Sequence, residues 1–539
     1  MHIPSPQSHL PTHDVTNQPP ERGDADLWAQ DAPLREAIAR EGGQAEALAA
    51  YGATLGTAAM RAAAREANRV LPELRTFDRA GRRLDEVQFH PAYHQLMAAG
   101  IGGGYAAVAW EGGTGGHVTH AAMVYLHSQI EPGTCCPMTM TYAAVPALAA
   151  SETLAAEWRP KLVSRAYDPS VRPVAEKAGA TLGMAMTEKQ GGSDVRANAT
   201  RAEPAGDHWR LTGHKWFCSA PMSDGFLTLA QTANGLSCFL VPRWLEGERN
   251  AIHLMRLKDK LGNKANASAE IEYHGALAYL LGEEGQGVRT IIEMVHHTRL
   301  DTAMAPAGLM RGALGEALHW VRHRRVFQRG LIDQPLMRAV LADLALDVEG
   351  ALALGLRVAR AFDGTAEADR AFARIGVALA KFLNNKRCPQ VTYEAMEVLG
   401  GMGYVEETPM PMYYREAPLN GIWEGSGNVI CLDILRTLAK EPLAGEVLRD
   451  ELAAARGADA RYDAALKAHL ERWPGLPAEA EARWFAESLA VLLTASVLLR
   501  HAPEAVGTGY AGSRLGESGR ITGAIGGVDV AAILGRLEH

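Results

Sequence analysis

A carboxylate set in a short run of aromatic and glycine residues is the group in this sequence best suited to accept a proton. Glu424 stands in Ile422-Trp423-Glu424-Gly425-Ser426-Gly427-Asn428. Between an indole and a glycine a carboxylate can be partly desolvated, which raises its pKa toward neutrality and suits it to general-base work. A lone glutamate beside a glycine is more usually a solvated loop residue. Upstream, Met184-Ala185-Met186-Thr187-Glu188-Lys189-Gln190-Gly191-Gly192-Ser193-Asp194-Val195 reads as a strand that ends in a hydroxyl residue and a glycine pair. Glycines let backbone N–H groups approach an anion closely, and Ser193 can add a donor. That is chemistry for a phosphate or a flavin edge, and also the pattern of a plain strand-to-loop transition. Between the two strings, Gly213-His214-Lys215-Trp216-Phe217-Cys218-Ser219-Ala220 closes a strand with an aromatic pair and a hydroxyl. Flat rings of this kind can pack on an isoalloxazine while hydroxyl and amide groups bond its heteroatoms, or they can form a core pair on a strand.

The elements that must hold these strings alternate in period. From about Asp31 to Leu162 apolar residues recur at three and four, as in Ala45, Leu48 and Ala49 followed by Leu55 and Ala59, which predicts helices. Gly102, Gly103 and Gly104 interrupt them, with no strand leading in, so a loop between helices is favoured over a dinucleotide fingerprint. Between Ala180 and Gly282 the period becomes two. Ala269, Ile271 and Tyr273 alternate with Glu270 and Glu272, and Gly213, Asp224-Gly225 and Asn234-Gly235 punctuate further short runs, predicting a small antiparallel sheet or barrel. Helical spacing returns from Gly287 to Leu438, with long segments at Pro335–Phe362 and Asp369–Leu399, and antiparallel helices with apolar stripes must bury them on each other.

The expectation is a mainly α protein with a central β domain: an extended arm over 1–30, a helical domain over 31–178, a β domain over 179–282, a helical bundle over 283–438 and an extra helical C-terminal domain over 439–539. The glycine-rich tail from Gly507 to Gly527 reads as disordered, and Leu537-Glu538-His539 as either a native end or a vector scar.

Composition narrows the functional classes. The 539 residues are 47% hydrophobic but only 6% aromatic, enough for a large core divided among several domains. A net charge of -8 argues against a globally basic nucleic-acid binder. Six cysteines, at 135, 136, 218, 238, 388 and 431, form no CxxC pair and no disulfide framework, which fits a reducing cytoplasm. The polar, Pro-rich start has no apolar h-region, and the longest apolar stretch, Ser488–Leu499, is too short to span a membrane. His117 with His120 and His296 with His297 lack carboxylate or cysteine partners at ligand spacing, so no metal site is expected.

In order and spacing the three strings resemble the acyl-CoA dehydrogenase family. So do Leu280-Leu281-Gly282-Glu283-Glu284-Gly285-Gln286-Gly287, Arg324-Arg325-Val326-Phe327 and Glu397-Val398-Leu399-Gly400-Gly401-Met402-Gly403-Tyr404, over roughly residues 80 to 436. Within that family the Lys258-Asp259-Lys260-Leu261-Gly262-Asn263 string and the Ser426-Gly427-Asn428 ending are similar to the AidB branch, DNA-binding flavoproteins linked to the alkylation response.

The resemblance implies a homotetramer with FAD between the β domain and the bundle. It implies that Met186, Thr187, Gly192 and Ser193 bond the flavin and its diphosphate, that Trp216, Phe217 and Ser219 line the ring, and that Trp423, Gly425, Ser426 and Asn428 flank it. Arg324, Phe327, Glu397, Gly400 and Gly401 would hold the adenosine diphosphate part across a subunit boundary. Glu424 would be the catalytic base that takes the α-proton of an acyl thioester while a hydride leaves the β-carbon, and Arg299 would lie near CoA. Two departures from the family pattern matter: Phe217-Cys218-Ser219 replaces aromatic-Ile-Thr, and Ser426-Gly427-Asn428 replaces Thr-x-Glu/Gln.

The same resemblance implies double-stranded DNA as a partner through Arg449, Arg456, Arg461, Lys467, Arg472, Arg483 or Arg500. From Glu441 to His539, however, ten Lys plus Arg face fourteen Asp plus Glu, a local charge of -4 that favours solvated helix surface. Two functions are therefore expected in competition: an FAD-dependent acyl-CoA dehydrogenase, or a DNA-protective flavoprotein with residual dehydrogenase activity.

Overall fold

In the computed structural model, which describes residues 6–537, helices and a β barrel alternate as the change of period requires. The first helices are Ala32–Glu41 (α1), Ala45–Leu55 (α2), Ala58–Arg69 (α3), Pro91–Gly103 (α4), Gly116–Ser128 (α5), Cys135–Leu148 (α6) and Glu152–Leu162 (α7). The start of α1 shows how a single residue links levels. The Asp31 carboxylate accepts from the Leu34 N–H as an N-cap, and also from the Tyr125 hydroxyl on α5 at 2.8 Å. Helix α5 is buried along its whole length, and its first turn is capped from elsewhere in the chain: the Asp363 carboxylate accepts from the backbone N–H of His117 at 2.8 Å and of Val118 at 3.0 Å.

One part of this region departs from the helical expectation, because Glu73–Phe77 and Arg83–Gln88 form an antiparallel hairpin. The alternation there spans only a few residues around the Asp78–Gly81 turn, too short to stand out in an alanine-rich background.

The middle strands run from Leu182 to Leu280. Ser268–Leu280 pairs with His208–Ser219, which pairs with Arg201–Ala205, and the path returns through Gly225–Thr232 and Gly235–Pro242 to Ser268–Leu280. The ladder thus closes on itself as a barrel. It is not wholly antiparallel as expected, since Leu182–Ala185 and Arg201–Ala205 each pair parallel to Gly225–Thr232.

Inside it the Glu188 carboxylate, fully buried, accepts from the fully buried Lys215 ammonium at 2.7 Å and from the N–H groups of Ala199 and Thr200. Burial alone would raise the Glu188 pKa, but Lys215 and these donors outweigh it and hold the group at about 2, while burial pushes Lys215 down to about 8. A carboxylate depressed in this way stabilises the fold fully above its unfolded pKa, and the contribution is lost as pH falls from there toward the folded value. Lys215→Met strands a buried charge, and is expected to cost about 3–5 kcal/mol in denaturant unfolding at neutral pH; the deficit should shrink in acid as Glu188 protonates.

The second helical part comprises Gly287–His323 (α8), Pro335–Asp363 (α9), Glu367–Val398 (α10), Met410–Glu416 (α11) and Gly427–Lys440 (α12). The extension adds Pro442–Ala453 (α13), Ala460–Arg472 (α14), Ala482–His501 (α15), Glu504–Arg514 (α16) and Val530–Gly535 (α17). The tail is therefore not disordered where Gly507 begins it. Gly507, Gly509 and Gly512 are buried in α16, and a Cβ at Gly512 would lie 2.5 Å from the Arg461 guanidinium, so these glycines serve close packing.

The segment Glu479–His501 is, by length and composition, apolar enough to cross a membrane, although no uninterrupted apolar run suggested it; 67% of its apolar window is buried within the protein, as in a core helix. The N-terminal arm lies along α8: Asn17 exchanges hydrogen bonds with the Arg325 backbone at 2.8 and 2.9 Å, and Arg22 pairs with Glu316 at 2.8 Å. Met1 to Ser5 of the arm, and Glu538 and His539 of the closing tripeptide, lie outside the described residues.

Candidate active site

The loop between α11 and α12 carries Glu424 in a conformation that L-residues seldom adopt, with φ +58° at Glu424 and +100° at Gly425. A non-glycine residue held there costs about 1–3 kcal/mol unless its surroundings fix it, and here they do. The Lys381 ammonium on α10, 1% exposed, donates to the carbonyls of Asn420 (2.7 Å), Trp423 (3.0 Å) and Gly425 (3.1 Å), so it grips the chain on both sides of the glutamate. Arg299 on α8 donates to the Glu424 carbonyl at 3.3 Å and to Asp433 on α12 at 2.7 Å, and Arg374 holds the same Asp433 at 2.8 Å. Trp423 is fixed in turn by its indole N–H on Asn420 at 2.7 Å.

The Glu424 carboxylate itself accepts from the Thr298 hydroxyl at 2.9 Å. Its pKa is raised by burial, against the opposing pull of Thr298, Lys381 and Arg299. A carboxylate made more basic than usual is suited to abstract a proton.

The other two strings are fastened to each other. The Trp216 N–H donates to the Thr187 carbonyl at 2.8 Å, and the Glu188–Lys215 pair lies directly beneath that contact. Opposite Glu270 the register slips, so that Trp216 and Phe217 together face one residue of the partner strand. A bulge of this kind re-aims side chains, and Phe217 emerges 47% exposed beside Trp216, whose ring lies 3.3 Å from the Lys258 ammonium.

A flat cofactor fits these residues. The strand offers the 47%-exposed ring of Phe217, and the loop at Gly192 is so close to Thr187 that a Cβ would lie 2.6 Å from its hydroxyl, leaving bare backbone toward any ligand. The buried Cys136 thiol, near the end of α6 that faces this region, is pushed up to about 12, chiefly by burial.

Arg299, expected near CoA, donates to Asp433 and to the Glu424 carbonyl, which makes it a support of the base loop. Asn428 accepts from Arg483 of α15 at 3.2 Å, so the extension reaches the first turn of α12. Ser426 forms the N-cap of α12 without a side-chain bond.

Arg324 stacks on Trp320 and donates to the Asn17 carbonyl, Phe327 is 91% exposed with φ +51°, and Glu397 accepts from Tyr393 at 3.1 Å. A Cβ at Gly400 or Gly401 would meet only open space. Arg324 and Phe327 follow α8, Glu397 is in the last turn of α10 and Gly400 and Gly401 lie just beyond it, so these five residues come from the ends of two helices rather than from the Glu424 loop.

The histidines belong to the packing of the helices: His120 bridges the Tyr105 carbonyl and Asp301 at 2.7 Å each, and His296 stacks on Phe362. Among the described residues no group of three or more His, Cys, Asp and Glu could hold a metal ion.

Lys381 and Asp433 were not singled out from the sequence. The available signal was a lone charge in an apolar helical run, Val377-Ala378-Leu379-Ala380-Lys381-Phe382 and Ile430-Cys431-Leu432-Asp433-Ile434, where an unpaired charge would be prohibitively buried.

A β barrel between two helical parts, an aromatic pair tied to the strand end before a glycine loop and a half-buried, rigidly held carboxylate are the features of a flavin-dependent dehydrogenase of the acyl-CoA dehydrogenase fold. Comparison with known proteins agrees. Residues 17–169 match the adaptive response protein AidB N-terminal domain, 183–276 the acyl-CoA dehydrogenase middle domain and 285–439 the acyl-CoA dehydrogenase C-terminal domain. The AidB protein of Escherichia coli (strain K12) is 46% identical over 504 residues, 92% of this chain and 93% of that one. Among solved structures, Caenorhabditis elegans ACDH-11 in complex with C11-CoA has a TM-score of 0.84 at 27% identity, covering 95% of both chains. The apo-form of Bd2924 has a TM-score of 0.82 at 30% identity, covering 91% of this chain and all of that one. The chain belongs to the acyl-CoA dehydrogenase family, as an FAD-dependent oxidoreductase of the AidB type.

Proposed function

We propose that the protein dehydrogenates an acyl thioester between its α and β carbons, with Glu424 as the base. The observation that carries this reading is the rigid, partly desolvated seat of Glu424, gripped by Lys381, Arg299 and Thr298. FAD supplies the acceptor for the hydride that leaves the β-carbon. The chain's own share is to take the α-proton at the Glu424 carboxylate, to keep that group short of water, and to hold it on a loop whose backbone cannot relax. Met186, Thr187, Gly192 and Ser193 are proposed to hold the flavin and its diphosphate, and Trp216, Phe217 and Ser219 its ring. Arg324, Phe327, Glu397, Gly400 and Gly401 would meet the adenosine part in a homotetramer, the exposure of the last four being consistent with a neighbour's cofactor.

ACDH-11 was solved with C11-CoA, which supports an acyl-CoA as the substrate class. Anaerobic addition of acyl-CoAs of graded length, isovaleryl-CoA among them, to the FAD-loaded protein should bleach the oxidised flavin band with at least one of them. A flavin left oxidised by every chain length would end this reading.

A role in the DNA alkylation response, in the cytoplasm, is a second proposal that rests on the likeness to AidB. The extension gives it little electrostatic support: Arg461 lies on Asp459, Arg472 on Glu481 and Arg500 on Glu451, so each of these cations is already neutralised. If duplex DNA does bind, affinity must fall steeply with salt, because phosphate contacts release counterions. A mobility-shift assay with nonspecific duplex at two salt concentrations is expected to show at most weak, salt-labile retardation. A tight complex that persists at the higher salt would make DNA, not the thioester, the principal partner.

A further inference from the structure

In the string Lys258-Asp259-Lys260-Leu261-Gly262-Asn263, Lys258 lies over the Trp216 and Phe217 rings, and Lys260 is joined by hydrogen bonds to the strand that carries them. The Lys260 ammonium donates to the Asn266 carbonyl at 2.6 Å, to Asn263 Oδ1 at 3.3 Å and to the Ser268 hydroxyl at 3.3 Å. Ser268 Oγ in turn lies 3.2 Å from Ser219 Oγ, the hydroxyl that closes the Trp216-Phe217 string. On the other side, Asn263 is held with φ +54°, and both its backbone N–H and its Nδ2, the latter at 3.2 Å, donate to the Glu416 carboxylate, which is 2% exposed.

The result is an unbroken hydrogen-bonded row, Glu416 to Asn263 to Lys260 to Ser268 to Ser219, with one ammonium in it. Asn266, 1% exposed, donates to Asn263 Oδ1 at 3.1 Å and keeps its own Oδ1 without a partner. Burial brings Lys260 down to about 8, opposed by Cys136, Glu416 and Glu131, and brings Glu416 up to about 7, helped by Glu131. A buried polar chain of this kind is costly to build inside a protein and fixes the orientation of each member.

We propose that Lys260 is a positioning residue for the flavin, orienting the Ser219 hydroxyl through Ser268 and placing a positive charge behind the ring edge where negative charge accumulates on reduction. This rests on the reading that Ser219 lines the ring, and on nothing about the substrate. A cation held two hydroxyls away in a medium of low polarity favours the reduced, more negative cofactor over the oxidised one.

The test is the reduction equilibrium of the FAD-loaded protein against a reference dye, run without any acyl-CoA. Lys260→Met is expected to make reduction of the bound flavin at least tenfold less favourable, about 30 mV for this two-electron couple, while FAD is still taken up stoichiometrically. Lys260→Arg should recover most of the difference. Ser268→Ala, which cuts the row but keeps the ammonium, should give a smaller shift, about threefold, and serves if the lysine variant does not fold. Equilibria equal to wild type in FAD-loaded Lys260→Met, or in Ser268→Ala, would overturn the proposal. Because no thioester is present, these results are independent of whether Glu424 acts as a base. A protein that never takes up FAD would instead bring down the flavin reading on which the proposal stands.

Discussion

Glu424→Gln is expected to stop thioester-dependent bleaching of the flavin, lowering the rate about 10⁴-fold, the upper end of what one acid–base group contributes, while the protein keeps its fold and its FAD. Glutamine preserves the volume of the side chain, and its amide oxygen can still accept from Thr298, which donates to the carboxylate at 2.9 Å. What disappears is the ability to take a proton. In the wild-type protein the base must be ionised to act, so the rate should rise with pH through the Glu424 pKa. That limb should lie above the ordinary carboxylate range, because burial raises the group more than Thr298, Lys381 and Arg299 lower it. Single-turnover reduction followed across pH checks both points: a Glu424→Gln protein that still bleaches at a comparable rate would remove the residue from the reaction.

Lys381→Met should damage both stability and rate. Removing the ammonium leaves the carbonyls of Asn420, Trp423 and Gly425 without their shared donor. Orphaned buried acceptors cost about 1–3 kcal/mol each, so a loss of at least about 3 kcal/mol is expected in denaturant unfolding. The loop can then relax from the left-handed conformation at Glu424, and a displacement of the base by about 1 Å is worth roughly 100-fold in rate. Loss of the cation also removes one of the influences that lower the Glu424 pKa, so the rising limb of the pH–rate profile should move to higher pH. A variant that is merely less stable, with an unmoved profile, would reduce Lys381 to scaffolding. Lys381 itself is brought down to about 7 by burial, with Glu424 opposing the shift, and the two groups should titrate as a coupled pair.

Much of the architecture was legible because it rests on periodicity. The alternation of Ala269, Ile271 and Tyr273 and the turn residues at 213, 224–225 and 234–235 gave the strands, and the long apolar stripes of α9 and α10 gave the bundle. The three chemical strings were legible as strings, since residue type and order survive without coordinates. The clamps on them were not. Lys381 and Thr298 reach Glu424 from 43 and 126 residues away, and no local pattern encodes which carbonyls a buried ammonium will find. The bulge that turns Phe217 outward depends on register with Glu270, a property of two strands together. The tail was misread for a related reason: glycine signals mobility in isolation, but at Gly512 it makes room for Arg461, a neighbour visible only after folding.

The most direct measurement is a structure of the assembled protein with FAD and an unreactive acyl thioester. The account predicts the isoalloxazine packed on the Trp216–Phe217 strand beside Ser219 and Thr187, with the Glu424 carboxylate against the α-carbon on the opposite side of the acyl group from the ring. A ring lodged elsewhere, or a thioester whose α-carbon lies out of reach of Glu424, would contradict it.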